Sequence, residues 1–88
     1  MYIPISRILV NEQMVDVEKI DYFVELIERG WKMKPVTVRK ATIDDKVRHE
    51  YYHHIEGGLE YYVLVDGRHR LAAHKILGKE TIYAMITL

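Results

Sequence analysis

The chain has 88 residues and a mass of 10.5 kDa, with 49% hydrophobic and 30% charged residues, which excludes disorder and leaves room for one domain and one modest core. Thirteen Lys and Arg cancel thirteen Asp and Glu, so no global field steers the chain onto DNA or an acidic membrane. The absence of cysteine removes disulfides, thiol catalysis and zinc–thiolate sites and fits a reducing compartment.

No apolar run approaches the ~20 residues that cross a bilayer, and the start of the chain has no charged leader. The expectation is a cytoplasmic protein without a membrane partner. The opening segment alternates Ile3, Ile5 and Ile8 with polar residues and reads as a strand, with Pro4 favouring a sheet edge. From Val17 the apolar positions Ile20, Val24, Ile27 and Trp31 follow at steps of three and four, which predicts one amphipathic helix with Trp31 in the core. Asp16 is its expected N-cap, and Gly30 its left-handed stop. Six acids between Glu12 and Glu28 face Lys19 alone, a pattern expected of a solvated helix face.

Val36–Val38 follows Pro35 as a short β-branched strand. Residues 46–55 and 60–65 flank Gly57-Gly58 and read as two arms of a hairpin, so residues 41–58 are expected to form an extended hairpin insertion. Within it, Tyr51-Tyr52 and Tyr61-Tyr62 would place one ring of each pair on either face. The second arm runs into Asp66-Gly67, where a helix begins that carries Leu71, Ala72, Ala73, Ile76 and Leu77 and closes at Gly78. Residues 81–88 alternate again and form the last strand. The fold class is therefore α+β, a small mixed sheet with two helices in one domain over residues 1–88.

The densest chemistry is the run Asp66-Gly67-Arg68-His69-Arg70 between strand and helix. The first amides of a helix lack intrahelical acceptors and suit a phosphate or carboxylate. Arg68 and Arg70 oppose the helix dipole there, so they carry a local cost that a bound anion would offset. The alternative is that both arginines pair with the acidic helix or face solvent. His49 and His53 share a strand face at about 13 Å, too far for one ion. Tyr51 and Tyr61, with His53 beside them, could instead stack bases of a single strand.

The run Asp66 to Ala73 resembles the glycine–x–x–arginine–x–x–alanine signature of the ParB/sulfiredoxin superfamily, and the order of elements around it is similar throughout except at residues 41–58. The resemblance implies a nucleotide phosphate site at Gly67, Arg68, His69 and Arg70. It does not extend to sulfiredoxin chemistry, because Arg68 stands where that branch has its catalytic cysteine. The partition-protein branch implies CTP binding, but its second arginine box is missing from Asn11 to Val17 and no helix-turn-helix follows. The ADP-dependent serine kinase branch has a similar D-G-x-H-R run and a catalytic glutamate after the first strand, where Glu12 stands. That likeness implies a phosphotransferase or nucleotide hydrolase with Glu12, Asp66 and His69 as catalytic groups. Its cofactors would be a nucleoside di- or triphosphate and Mg²⁺, with Asp66 as metal ligand.

A ParB-like nuclease or nucleic-acid-binding module of plasmid or phage type, contacting DNA or RNA, is the second reading. A non-enzymatic interaction domain is the third. The hairpin offers a surface for a homodimer.

Overall fold

The computed structural model describes residues 1–10, 15–48 and 55–87. Glu12, Tyr51, His49 and His53 lie outside the described residues. Five strands form one mixed sheet: β1 (Tyr2–Pro4), β2 (Ile8–Leu9), β3 (Val36–Lys40), β4 (Tyr62–Asp66) and β5 (Thr81–Thr87). Their spatial order is β1-β5-β3-β4-β2. β1 runs antiparallel to β5 and β4 antiparallel to β3, whereas β3–β5 and β2–β4 are parallel pairs.

The opening segment is two strands rather than one. A 3₁₀ turn at Ile5–Arg7 separates them, pinned by the Ile5 N–H donating to the Glu80 carbonyl at 2.9 Å. That single turn joins opposite edges of the sheet. In a flat five-stranded sheet those edges would lie about 19 Å apart, whereas three 3₁₀ residues advance the chain only about 6 Å. The sheet must therefore curl. Pro4 sits on an edge strand, as its missing N–H requires.

Curling gives the sheet an inner and an outer face. Ile3, Ile5, Ile8, Val36, Val38, Tyr62, Ile82 and Ala84 point inward and bury around Leu71 of α3 (Arg68–Ile76). On the other face, Leu9, Tyr61 and Val63 form a smaller cluster roofed by Ala41, Ile55 and Leu59. Tyr61 and Tyr62 thus divide between the two faces, as strand alternation demands.

Helix α1 (Val17–Glu28) starts where expected: the Asp16 carboxylate accepts the Glu18 and Lys19 amides at 3.0 and 3.4 Å. At its end Gly30 takes φ +80°, and the Gly30 and Trp31 amides bond back to Ile27 and Leu26. α1 packs on α3 rather than on the sheet, so only Ile20 of its stripe is buried. Trp31 is exposed, contrary to the expectation of a core position. The reversal at Gly30 ends the helical rotation, and position 31 no longer continues the stripe.

The second correction concerns the hairpin arm. Residues 46–48 belong to a short helix, α2 (Ile43–Arg48), and not to a strand. Thr42 and Asp45 form a reciprocal cap: the Asp45 amide donates to the Thr42 hydroxyl oxygen at 3.2 Å, and the Thr42 amide to the Asp45 carboxylate at 2.8 Å. Acids at 44 and 45 and bases at 46 and 48 also match the helix dipole. Arg39 on β3 donates to both Asp45 oxygens, at 2.7 and 3.0 Å, and so ties α2 to the outer face of the sheet.

That fork, with the Thr42 amide and hydroxyl, holds the Asp45 carboxyl well below the usual carboxylate range. A depressed folded pKa adds stability that is complete above the unfolded value near 4 and fades as pH falls below it. Asp45→Asn should therefore lose stability at pH 7 and show a shallower decline between about pH 4 and pH 2 than the wild type in urea melts. Thr42→Ala should cost about 1 kcal/mol through the lost cap.

Candidate functional site

The run from Asp66 to Arg70 lies where β4 ends and α3 begins. Gly67 is the N-cap of α3 with φ +105° and ψ 27°, a left-handed conformation. Its lack of a side chain is also a packing requirement. A Cβ there would stand 2.7 Å from Val36 Cγ1 and 3.1 Å from a guanidinium nitrogen of Arg70. The strand-to-helix junction thus presses directly onto the first residue of β3.

Arg70 locks that approach. Its Nη1 donates to the carbonyls of Lys34 and Pro35 at 2.9 and 3.1 Å, and its Nη2 to the Asp66 carboxylate at 3.4 Å. The side chain is only 14% exposed, whereas that of Asp66 is 77% exposed. Burying a guanidinium is tolerable here because backbone oxygens meet its donors. One of the two arginines that oppose the helix dipole is therefore engaged in joining β3 to the junction. His74, one turn further along, has its Nδ1 2.7 Å from the Arg70 carbonyl.

His69 reaches across to α1. Its Nε2 accepts the Asp16 amide at 3.0 Å, which places the ring proton on Nδ1 in the neutral tautomer. The N-cap residue of α1 is thereby fixed to the first turn of α3. The first closing bond of α3 runs from the Leu71 amide to the Gly67 carbonyl, and Gly67 itself has no side chain with which to cap the helix. The amides of Arg68, His69 and Arg70 precede that bond, in the turn where helix donors have no intrahelical acceptor.

These residues open onto a cleft of about 630 Å³. Asp66, Gly67, Arg68, His69 and Arg70 line one wall. Lys19, Tyr22 and Phe23 of α1 line another, with the Tyr22 and Phe23 rings edge to face at 5.5 Å between centroids. The junction read from the sequence is thus gathered in one place, but the α1 wall was missed. Its sequence signal was the spacing of Lys19 and Tyr22 by three, one helical turn on the side away from Ile20 and Val24.

Tyr61 is not available for stacking. The residue is 4% exposed and its hydroxyl accepts the Glu56 amide at 2.8 Å, so it serves the outer cluster. Among the described residues no three His, Asp or Glu side chains converge to hold a metal, and no helix is long and apolar enough to cross a membrane.

No protein-family model and no curated protein sequence matches the chain. Solved structures do. A glutamate-to-alanine variant of a free serine kinase in complex with ADP superposes with a TM-score of 0.72 and 23% identity. A free serine kinase in complex with AMP gives 0.71 and 24%. Each match covers 99% of this chain and 30% of the other, so the chain spans less than a third of those kinases. Sulfiredoxin from Arabidopsis thaliana gives 0.67 and 22%, over 99% of this chain and 84% of that one.

Gly67→Ala should lose at least about 1–3 kcal/mol from left-handed backbone strain, read as a lower urea midpoint. Val36→Ala loses stability of its own because Val36 is in the core, and in that background the further cost of Gly67→Ala should fall only by the part due to the 2.7 Å clash. A Gly67→Ala cost that vanishes in that background would mean that the backbone conformation carries no cost.

Proposed function

Taking the ParB/sulfiredoxin-like fold as premise, we propose that the chain binds a nucleoside di- or triphosphate in the cleft between α1 and the β4–α3 junction. The observation that carries this reading is the first turn of α3, which has a side-chain-free Gly67 as its N-cap and lines the cleft with Arg68. The N-terminal amides of a helix and a guanidinium suit phosphate oxygens. Across the cleft, Tyr22 offers a ring for the base, and Lys19 adds a positive charge. The fold's likeness to kinase structures holding ADP and AMP supports a nucleotide over a bare anion.

Arg70 serves this site as a positioning residue, because its guanidinium already bridges two carbonyls and Asp66. Mg²⁺ fits as an ion carried by the nucleotide. Asp66 would supply one exposed carboxylate and the phosphates the rest, the usual way in which Mg²⁺ is held at phosphoryl-transfer sites. Phosphoryl transfer to a hydroxyl or to water is the chemistry we assign, with Glu12 as the base that takes the proton and His69 orienting the phosphates. Such transfer needs mainly positioning and charge compensation, which Lys19, Arg68 and the α3 amides supply.

Calorimetric titration with ADP and ATP, with and without Mg²⁺, tests the binding step. Arg68→Ala should weaken ADP about 10- to 100-fold, the loss of one or two charge-assisted bonds. Tyr22→Ala should weaken ADP about fivefold or more yet leave pyrophosphate unchanged. Glu12→Gln should keep binding and lose turnover. Turnover intact in that variant would remove Glu12 from the chemistry, and no heat with any nucleotide would refute the site.

A further inference from the structure

Among the described residues, only half of the outer face of the sheet is covered. Its β2–β4 side lies under the cluster of Leu9, Tyr61 and Val63 with Ala41, Ile55 and Leu59. The β1–β5 side has no such roof among the described residues. Alternation turns Tyr83 and Met85 outward while Ile82 and Ala84 go inward, and Tyr2 pairs directly with Tyr83. Tyr2 is 71% exposed, Tyr83 48% and Met85 57%, with the two tyrosine rings edge to face at 5.1 Å. Met85 pairs with Thr37 on β3, so the apolar row reaches the strand that anchors α2.

A second exposed apolar surface lies on α2. Ile43 and Val47 of α2 are spaced by four and share one side of that helix, at 79% and 59% exposure. Their helix is fixed to the outer face through Arg39 of β3 and Asp45. Ile43 and Val47 lie two positions either side of Asp45, about 200° round the helix from its bond to Arg39, so they turn away from the sheet on its outer side.

We propose that a second copy of the chain completes this layer, as a two-fold dimer. A two-fold axis near β3 sets Ile43 and Val47 of each protomer onto the row of Tyr2, Tyr83 and Met85 of its partner. This is the reciprocal contact that an isologous interface requires. The areas agree. At about 150–250 Å² for each fully exposed large side chain, these five residues leave roughly 550 Å² of apolar surface open. One side of a standard interface, about 800 Å² and a little over half non-polar, needs about 450 Å². The formal net charge of zero puts no long-range repulsion in the way.

Sedimentation equilibrium from about 5 μM to 1 mM tests the dimer, using concentrations that bracket ordinary interface affinities. The expected mass at the upper end is twice 10.5 kDa. Met85→Lys and Ile43→Lys, on opposite sides of the contact, should each return the 10.5 kDa species. Both positions are exposed, and unchanged far-ultraviolet dichroism would show that the fold persists. Concentration-dependent amide shifts at Thr81–Thr87 and Ile43–Arg48 in the unaltered protein provide a readout that needs no variant. A monomer throughout the range, or a dimer indifferent to both substitutions, overturns the proposal. Nucleotide binding by a monomer would leave the cleft reading standing while this one fails.

Discussion

The contact between Gly67 and Val36, held by Arg70, is the constraint on which the rest of this fold depends. It joins the junction after β4 to the start of β3, although more than thirty residues separate them along the chain. Only a glycine with φ +105° lets the backbone come that close. Only a forked, permanently charged side chain can bond two successive carbonyls and a carboxylate together. With that lock set, the first turn of α3 is directed at the cleft, and His69 can reach Asp16 and fix the start of α1. The lock and the cleft share Asp66, Gly67 and Arg70.

The lock also accounts for a conflict in the sequence. Two arginines in the first turn of a helix oppose its dipole, and no acid accompanies them in that turn. Arg70 is compensated by the carbonyls of Lys34 and Pro35 and by Asp66. Arg68 sits on the cleft wall, where its guanidinium would also meet an incoming phosphate. One surface with the α3 amides and Arg68 at one end and Tyr22 at the other suits a ligand that is anionic at one end and planar at the other. A nucleotide has that form.

Much of this was legible because it is local. The limits of α1 followed from Asp16 and Gly30, and the strand-to-helix junction from Asp66-Gly67, since caps and left-handed turns are short-range chemistry. The misread features depend on distant partners or on a weaker local signal. The split of the opening strand at Ile5 depends on the Glu80 carbonyl and on the closing of the sheet's edges. α2 had a readable cap in Thr42 and Asp45, but β-prone residues that follow it drew the reading towards a strand. Trp31 fitted the helical period in sequence, and the Gly30 reversal removed it in space. The bond from Asp16 to His69 spans 53 positions and leaves no trace in spacing.

The most direct test of the central claim is a titration of the ¹⁵N-labelled protein with ADP, followed through its amide resonances. The account predicts the largest shifts at Arg68, His69 and Arg70, where the first amides of α3 would meet the phosphates, with smaller shifts at Lys19 and Tyr22. Shifts confined to the outer face around Tyr83 and Met85, or no shifts at millimolar ADP, would contradict it.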